Sequence, residues 1–140
     1  MDKYFTFPSP NPIHMSSTVF THHAPEPIGP YSQAVKSANM LFCSGQIASD
    51  PETGELKMAS IEEETRQVLE NLKAVLHAGG MAMEEVVKCS IFLSDMKHFP
   101  IVNKVYATYF GEAQPARETV AVAGLPLGVN VEISAVAIKD

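Results

Sequence analysis

Tryptophan is absent from this 140-residue sequence, cysteine occurs twice, and Arg66 and Arg117 are its only arginines. Each scarcity excludes something. Two cysteines, Cys43 and Cys89, cannot build a disulfide framework, and neither has a nearby Cys or His at metal-ligand spacing. Both lie inside apolar segments and read as buried thiols in a reducing compartment, although a single disulfide between them stays open to the sequence. Lys and Arg total 10 against 16 acids, a formal net charge of -6, so no basic face for phosphates is visible and a non-specific nucleic-acid binder is disfavoured. No apolar run approaches the roughly 18 residues that span a bilayer, and no charged-then-apolar leader opens the chain. The expectation is a cytoplasmic protein with neither nucleic acid nor membrane as a partner.

What is present is an ordinary globular balance: 46% hydrophobic and 19% charged residues, enough to build one core without a metal or disulfide staple. Residues 1–17 carry Pro8, Pro10 and Pro12 without amphipathic period and read as an N-terminal extension, with Met15 a candidate alternative start; residues 18–140 read as one domain.

Along that domain, Thr18–Thr21 reads as a short strand, and His22–Pro30 as a proline-rich connection. Ser32–Ser37 and Met40–Gln46 are two strands separated by Ala38-Asn39, a hairpin spacing in which Asn39 suits a positive φ. Ser49–Glu55 is a loop. Ser60–Ala78 is a helix, because Ile61, Thr65, Val68, Leu69, Leu72, Val75 and Leu76 recur at steps of three and four. Ser60 with Glu63 marks its start, Glu62, Glu63 and Glu64 suit the positive end of its dipole, and Gly79-Gly80 marks its stop. Val86–Ser94 is a strand with Val87, Cys89, Ile91 and Leu93 on one face; Phe99–Phe110 is a second helix with an apolar stripe of Phe99, Val102, Tyr106, Tyr109 and Phe110. Arg117–Ala123 and Asn130–Lys139 complete the order β-β-β-α-β-α-β-β. Two helices cannot cover both faces of a six-stranded sheet, so they pack on one face of an α+β fold. The final strand is largely apolar on both faces, so the open one needs loops or another copy to cover it.

Few residues carry chemistry. Arg117 opens a strand after Gln114-Pro115-Ala116, and its rigid fork can hold a small carboxylate with two donors; a surface ion pair is the competing reading, and the sequence does not decide between them. Glu132 lies among β-branched residues, where a carboxylate is disfavoured unless paired or functional; an edge-strand charge facing solvent is the commoner explanation. Tyr31, Asn103 and Ser44-Gly45-Gln46 are each plausible polar contacts and each more often a packed ring, a helix-surface amide or a bulge. His22-His23 lacks a third ligand at sensible spacing, which argues against a metal. Thr119 and Ser134 show no base partner, so nucleophilic catalysis has no support.

In order along the chain, Ile28-Gly29-Pro30-Tyr31-Ser32-Gln33-Ala34-Val35, Ser44-Gly45-Gln46-Ile47 with Asp50-Pro51-Glu52-Thr53-Gly54-Glu55, Val102-Asn103-Lys104-Val105-Tyr106, Pro115-Ala116-Arg117 and Val131-Glu132-Ile133 resemble the successive signatures of the Rid (YjgF-type) family of reactive imine deaminases. The resemblance runs from about Thr18 to the C-terminus. It implies a homotrimer of chorismate-mutase-like subunits, with a six-stranded, mostly antiparallel sheet, two helices on one face, and ligand pockets between neighbouring subunits. It further implies hydrolysis of 2-iminopropanoate and 2-iminobutanoate to 2-keto acids and ammonia without metal or cofactor. Arg117 would bind the substrate carboxylate, Glu132 would position or deprotonate water directly or through Tyr31, and Gly45, Asn103 and Thr119 would line the pocket. Glu118 after the arginine and Gly124 depart from many relatives, which leaves the preferred imino acid open; strand parity puts Glu118 on the face opposite Arg117. The alternative is a noncatalytic trimer that binds 2-keto acids as a regulator. Ribonuclease activity, attached to some relatives, is disfavoured by the acidic balance.

Overall fold

The computed structural model describes residues 16–140. Six strands and two helices follow one another, with burial alternating residue by residue along the last strand: β1 (Ser17–Val19), β2 (Ala34–Ser37), β3 (Met40–Gln46), α1 (Ile61–Ala78), β4 (Val86–Leu93), α2 (Phe99–Phe110), β5 (Ala116–Ala121) and β6 (Val131–Ile138). The chain order is the expected one. The strands form one sheet in the spatial order β1-β2-β3-β6-β4-β5, antiparallel except for the parallel β4–β5 pair. β6 is therefore central and β5 is an edge. Among the described residues no helix is long and apolar enough to cross a membrane.

Helix α1 begins where Ser60 Oγ accepts from the Glu63 N–H at 3.0 Å and ends before Gly80, whose φ is 78°. Val68, Leu69, Leu72, Val75 and Leu76 are fully buried in one core with Leu41, Ile91, Val131 and Ile133 of the sheet. At its end a Cβ on Gly79 would lie 2.5 Å from Leu41 Cδ2, so only glycine lets the helix close onto β3. Helix α2 packs beside α1 and buries Val102, Val105, Tyr106 and Phe110. On β6, Val131, Ile133, Ala135 and Ala137 face the helices and are buried, while Glu132, Ser134, Val136 and Ile138 on the open face are only partly covered. Phe42 and Val120, registered with that open set, are exposed. The open face is thus mixed, with Phe42, Val120, Val136 and Ile138 as its apolar part and Glu132, Ser134, Ser90 and Glu118 as its polar part.

Where the structure departs from the sequence pattern, the cause is local. The first strand is Ser17–Val19 rather than Thr18–Thr21, because the Thr21 N–H donates to Gln33 Oε1 at 2.7 Å instead of to a strand partner. β2 begins at Ala34 rather than Ser32, since the buried Gln33 side chain donates to the carbonyls of Thr21, Ala24 and Pro25 and ties down the proline-rich connection. In the hairpin the positive φ falls on Ala38, at 52°, and not on Asn39. A register shift between Val86 and Lys88 turns Val86 inward and leaves Val87 exposed, so Val87 does not join the buried face. β5 is Ala116–Ala121 and β6 is Val131–Ile138, both shorter than expected. Of the N-terminal extension, residues 1–15 lie outside the described residues, and Ser17 already belongs to β1.

Three buried polar side chains were hidden from the hydrophobic pattern. Asn71 donates to the carbonyls of Ile47 and Ser49 at 2.9 and 2.8 Å, pinning the chain that leaves β3. Gln33 anchors the proline-rich connection. Glu64, expected beside Glu62 and Glu63 at the helix dipole, is fully buried and accepts from the Asn130 N–H, the Val131 N–H and Asn130 Nδ2 at 2.6, 3.0 and 3.0 Å. It holds the entry to β6. Cys43 and Cys89 register with Ala135 from opposite sides and are free. Two strand spacings, about 9.5 Å, separate them, more than a disulfide tolerates. Burial pushes the Cys43 thiol up to about 12 and Cys89 up to about 11, so neither is a ready thiolate at neutral pH.

Candidate active site

Arg117 is the second residue of edge strand β5 and registers with Cys89, which places its side chain on the helix face. Beneath it, α2 presents Phe99, Asn103 and Tyr106, whose steps of four and three put them on one side of the helix. Asn103 Oδ1 accepts from Arg117 Nη1 at 2.8 Å, and the guanidinium carbon lies 4.8 Å from the Tyr106 ring centre and 5.6 Å from that of Phe99. Among the described residues no carboxylate lies within ion-pairing distance of Arg117 and Asn103 is its only hydrogen-bond partner. The surface ion-pair reading therefore falls. Thr119, two residues further on the same face, has a buried hydroxyl without a hydrogen-bond partner among the described residues, and the buried hydroxyl of Tyr106 sits against the Cys89 thiol. Glu118 points to the other face and pairs with Lys88 at 3.3 Å, as strand parity requires.

The second group lies on the open face. Glu132 belongs to the central strand β6, so an edge-strand role is excluded. It opens onto a cleft of about 330 Å3 lined also by Tyr31, Ser44, Gly45, Ile28, Ile47 and Pro126. Among the described residues its carboxylate accepts no hydrogen bond, and burial raises its pKa above the ordinary glutamate value. Gly45 sits where β3 shifts register against β6, between Cys43 and Gln46. A Cβ there would collide with Glu132 Oε1 and lie 2.8 Å from Glu132 Cδ, so the glycine makes room for the carboxylate. Tyr31, half-exposed, accepts the Ile28 N–H on its hydroxyl at 3.3 Å. Ser44 Oγ donates to the Ser32 carbonyl at 2.6 Å and is tied into the wall of the cleft.

These two groups do not meet within one chain. Arg117, Asn103 and Thr119 are on the helix face at the sheet edge; Glu132, Tyr31 and Gly45 are on the other face. The larger groove, of about 940 Å3, runs along α1 past Lys73 and His77 and is lined by none of them. His22 and His23 are exposed, and among the described residues no cluster of three or more His, Cys, Asp or Glu is placed to hold a metal. Phe99 and Tyr106, assigned from periodicity to the core stripe, prove to be contacts of Arg117. Their shared spacing with Asn103 was the available signal, but nothing in the sequence showed which strand faced that side of α2.

A sequence profile described as Endoribonuclease L-PSP matches residues 21–139. The chain is 52% identical over 126 residues to a RutC family protein of Pyrococcus horikoshii, covering 90% of this chain and 100% of the relative. It is 42% identical over 128 residues to the 2-iminobutanoate/2-iminopropanoate deaminase of Escherichia coli, covering 89% and 99%. The chain belongs to the Rid family. Among solved Rid structures, E. coli TdcF with bound serine matches with a TM-score of 0.84 and 39% identity over 89% of this chain and 99% of that one. The six-stranded sheet with its two helices is thus the Rid fold, and imine deaminases are among the family's members.

Proposed function

We propose that this protein hydrolyses small 2-imino acids, 2-iminopropanoate and 2-iminobutanoate among them, to 2-keto acids and ammonia, in sites completed between the subunits of a homotrimer. The observation that carries the proposal is the division of the site. A carboxylate-binding fork stands at the sheet edge on one face, an unpartnered carboxylate stands on the other, and the open face around the latter is uncovered. A neighbouring copy seated on that open face would bring its Arg117 edge to the Glu132 cleft. The deaminase name of the E. coli relative and the serine held by TdcF, a small amino acid with a carboxylate, support a ligand of this class.

The chemistry asks little of the protein. A protonated imine is already electrophilic, so orientation and delivery of water dominate. Arg117 holds the carboxylate. Glu132 takes a proton from water as it adds to the imine carbon, with Tyr31 beside it, and returns that proton to the amine nitrogen; the C–N bond then breaks, ammonia leaves, and the hydroxyl releases its proton as the 2-keto acid forms. The acidic net charge gives no support to the ribonuclease activity in the profile's description.

The test is a coupled assay. A pyridoxal-phosphate-dependent dehydratase acting on serine generates 2-aminoacrylate and its imine, and pyruvate release is followed with and without this protein. Acceleration above the spontaneous rate, lost in Arg117→Ala, is expected. Binding of pyruvate without acceleration would instead favour a noncatalytic 2-keto acid sensor.

A further inference from the structure

We infer that Tyr106, assisted by Phe99, is a positioning residue that acts on the ligand through Arg117. Its consequence for substrate rests on the deaminase reading above; its cause is the geometry of α2. A guanidinium grips a carboxylate with two donors only while its plane is fixed. Among the described residues Arg117 has one hydrogen bond, from Nη1 to Asn103 Oδ1, and a single bond leaves the fork free to swivel about it. The rings supply the missing restraint, since both lie within about 6 Å of the cation, where a ring face attracts it. Because residues 99, 103 and 106 share one side of α2, the helix delivers all three restraints as a unit. Nε and Nη2 keep no protein partner among the described residues and stay available to a carboxylate.

The Tyr106 side chain does this with its ring and not with its hydroxyl. The ring centre is 4.8 Å from the guanidinium carbon, whereas the hydroxyl is buried against the Cys89 thiol. Mutation can therefore separate the two. Tyr106→Phe keeps the ring and Tyr106→Leu removes it at similar apolar character. A residue that only filled the core would alter the melting temperature and leave Arg117 unaffected.

The experiment uses the full chain and two readouts. One is the affinity for 2-ketobutanoate by calorimetry, with KM and kcat measured separately for the imine. The other is the rate of Arg117 guanidinium rotation in the ligand-free protein by 15N NMR. Tyr106→Phe is expected to match the parent in both. Tyr106→Leu is expected to weaken 2-ketobutanoate binding about two- to thirty-fold, to raise KM with kcat little changed, and to speed the rotation. Unchanged affinity and rotation in Tyr106→Leu, or equal losses in Tyr106→Phe, would overturn the inference. If the parent protein bound no 2-keto acid, the deaminase reading would fall and the NMR rotation would still decide the role of the ring. Should Tyr106→Leu not fold, Phe99→Leu, at the less buried ring, replaces it with the same expected signs and the same overturning result.

Discussion

On the helix face of the sheet Glu64 reaches from α1 to the start of β6 and accepts three N–H donors; on the open face Glu132, the next residue along β6 after the pair that Glu64 holds, accepts none among the described residues. Taking a carboxylate out of water costs several kcal/mol unless donors replace its hydration. Glu64 has those donors and is part of the scaffold. Glu132 lacks them among the described residues, so its charged form is disfavoured and its pKa stands above the ordinary glutamate value. The positive group follows the first pattern, with Arg117 restrained by Asn103 and two rings on the helix face. One face of the molecule therefore fixes its charge, and the other leaves its charge without donors among the described residues, which is the division the proposed reaction would use.

The largest effect tests whether those two faces serve one site. Arg117→Ala should lose about 3 to 5 kcal/mol of ligand binding, and Glu132→Gln should lose about 10²- to 10⁴-fold in kcat, each with the fold intact. Co-expressed in equal amounts, the two inactive variants should regain activity. In the proposed trimer about one interface in four then joins an intact Arg117 to an intact Glu132, so about a quarter of the parent rate returns. If each chain held its whole site, mixing would restore nothing.

The next effect is on stability and falls on the scaffold carboxylate. Glu64→Ala strands the Asn130 and Val131 N–H groups and should cost about 3 to 5 kcal/mol; Glu64→Gln, which keeps an acceptor oxygen, should cost less. Urea unfolding of both checks this. A cost below 1 kcal/mol for Glu64→Ala would remove the contrast with Glu132.

The sequence exposed the regular parts of this contrast and concealed the polar ones. Strand and helix order followed from periodicity, and α2 spans Phe99–Phe110 as expected, because apolar spacing is what the core selects. Tyr31, Gly45, Asn103, Arg117 and Glu132 were legible through the family signatures, and the structure sorts them onto two faces. Glu64 was not legible. It stands in a run of three glutamates, and two of these are exposed while the third turns inward; helix dipole and burial make the same demand on composition there. Tyr106 was legible as core only, since its second role depends on which strand lies across α2. Sheet order, with β6 between β3 and β4, is a long-range property that local pattern does not encode.

A smaller effect isolates the room given to the Glu132 carboxylate. Gly45→Ala places a methyl where Glu132 Oε1 now lies. The carboxylate can swing away more easily than the backbone can move, so the fold should survive with little change in melting temperature. Activity should fall on the order of a hundredfold, the scale at which about 1 Å of misplacement is felt, with the 2-keto acid still bound. Equal losses in binding and kcat would mean that Gly45 shapes the whole cleft and not the position of Glu132.

The smallest and most diagnostic effect is in pH dependence, where the two readouts should run in opposite directions. Glu132 must be ionised to take a proton from water, so kcat/KM declines as pH falls through its folded-state pKa. Burial raises that pKa, which moves the acid limb upward from the ordinary glutamate value, and Glu132→Gln should abolish the limb along with most of the rate. Stability carries the reverse sign, because the folded protein binds this proton more tightly than the unfolded chain does. Its contribution is fully present below the unfolded pKa and is lost as pH rises through the folded one. Glu132→Gln should therefore melt slightly above the parent at neutral pH and close to it in acid. An acid limb in the ordinary range, or a variant less stable than the parent at neutral pH, would mean that Glu132 gains donors in the assembled protein and resembles Glu64 after all.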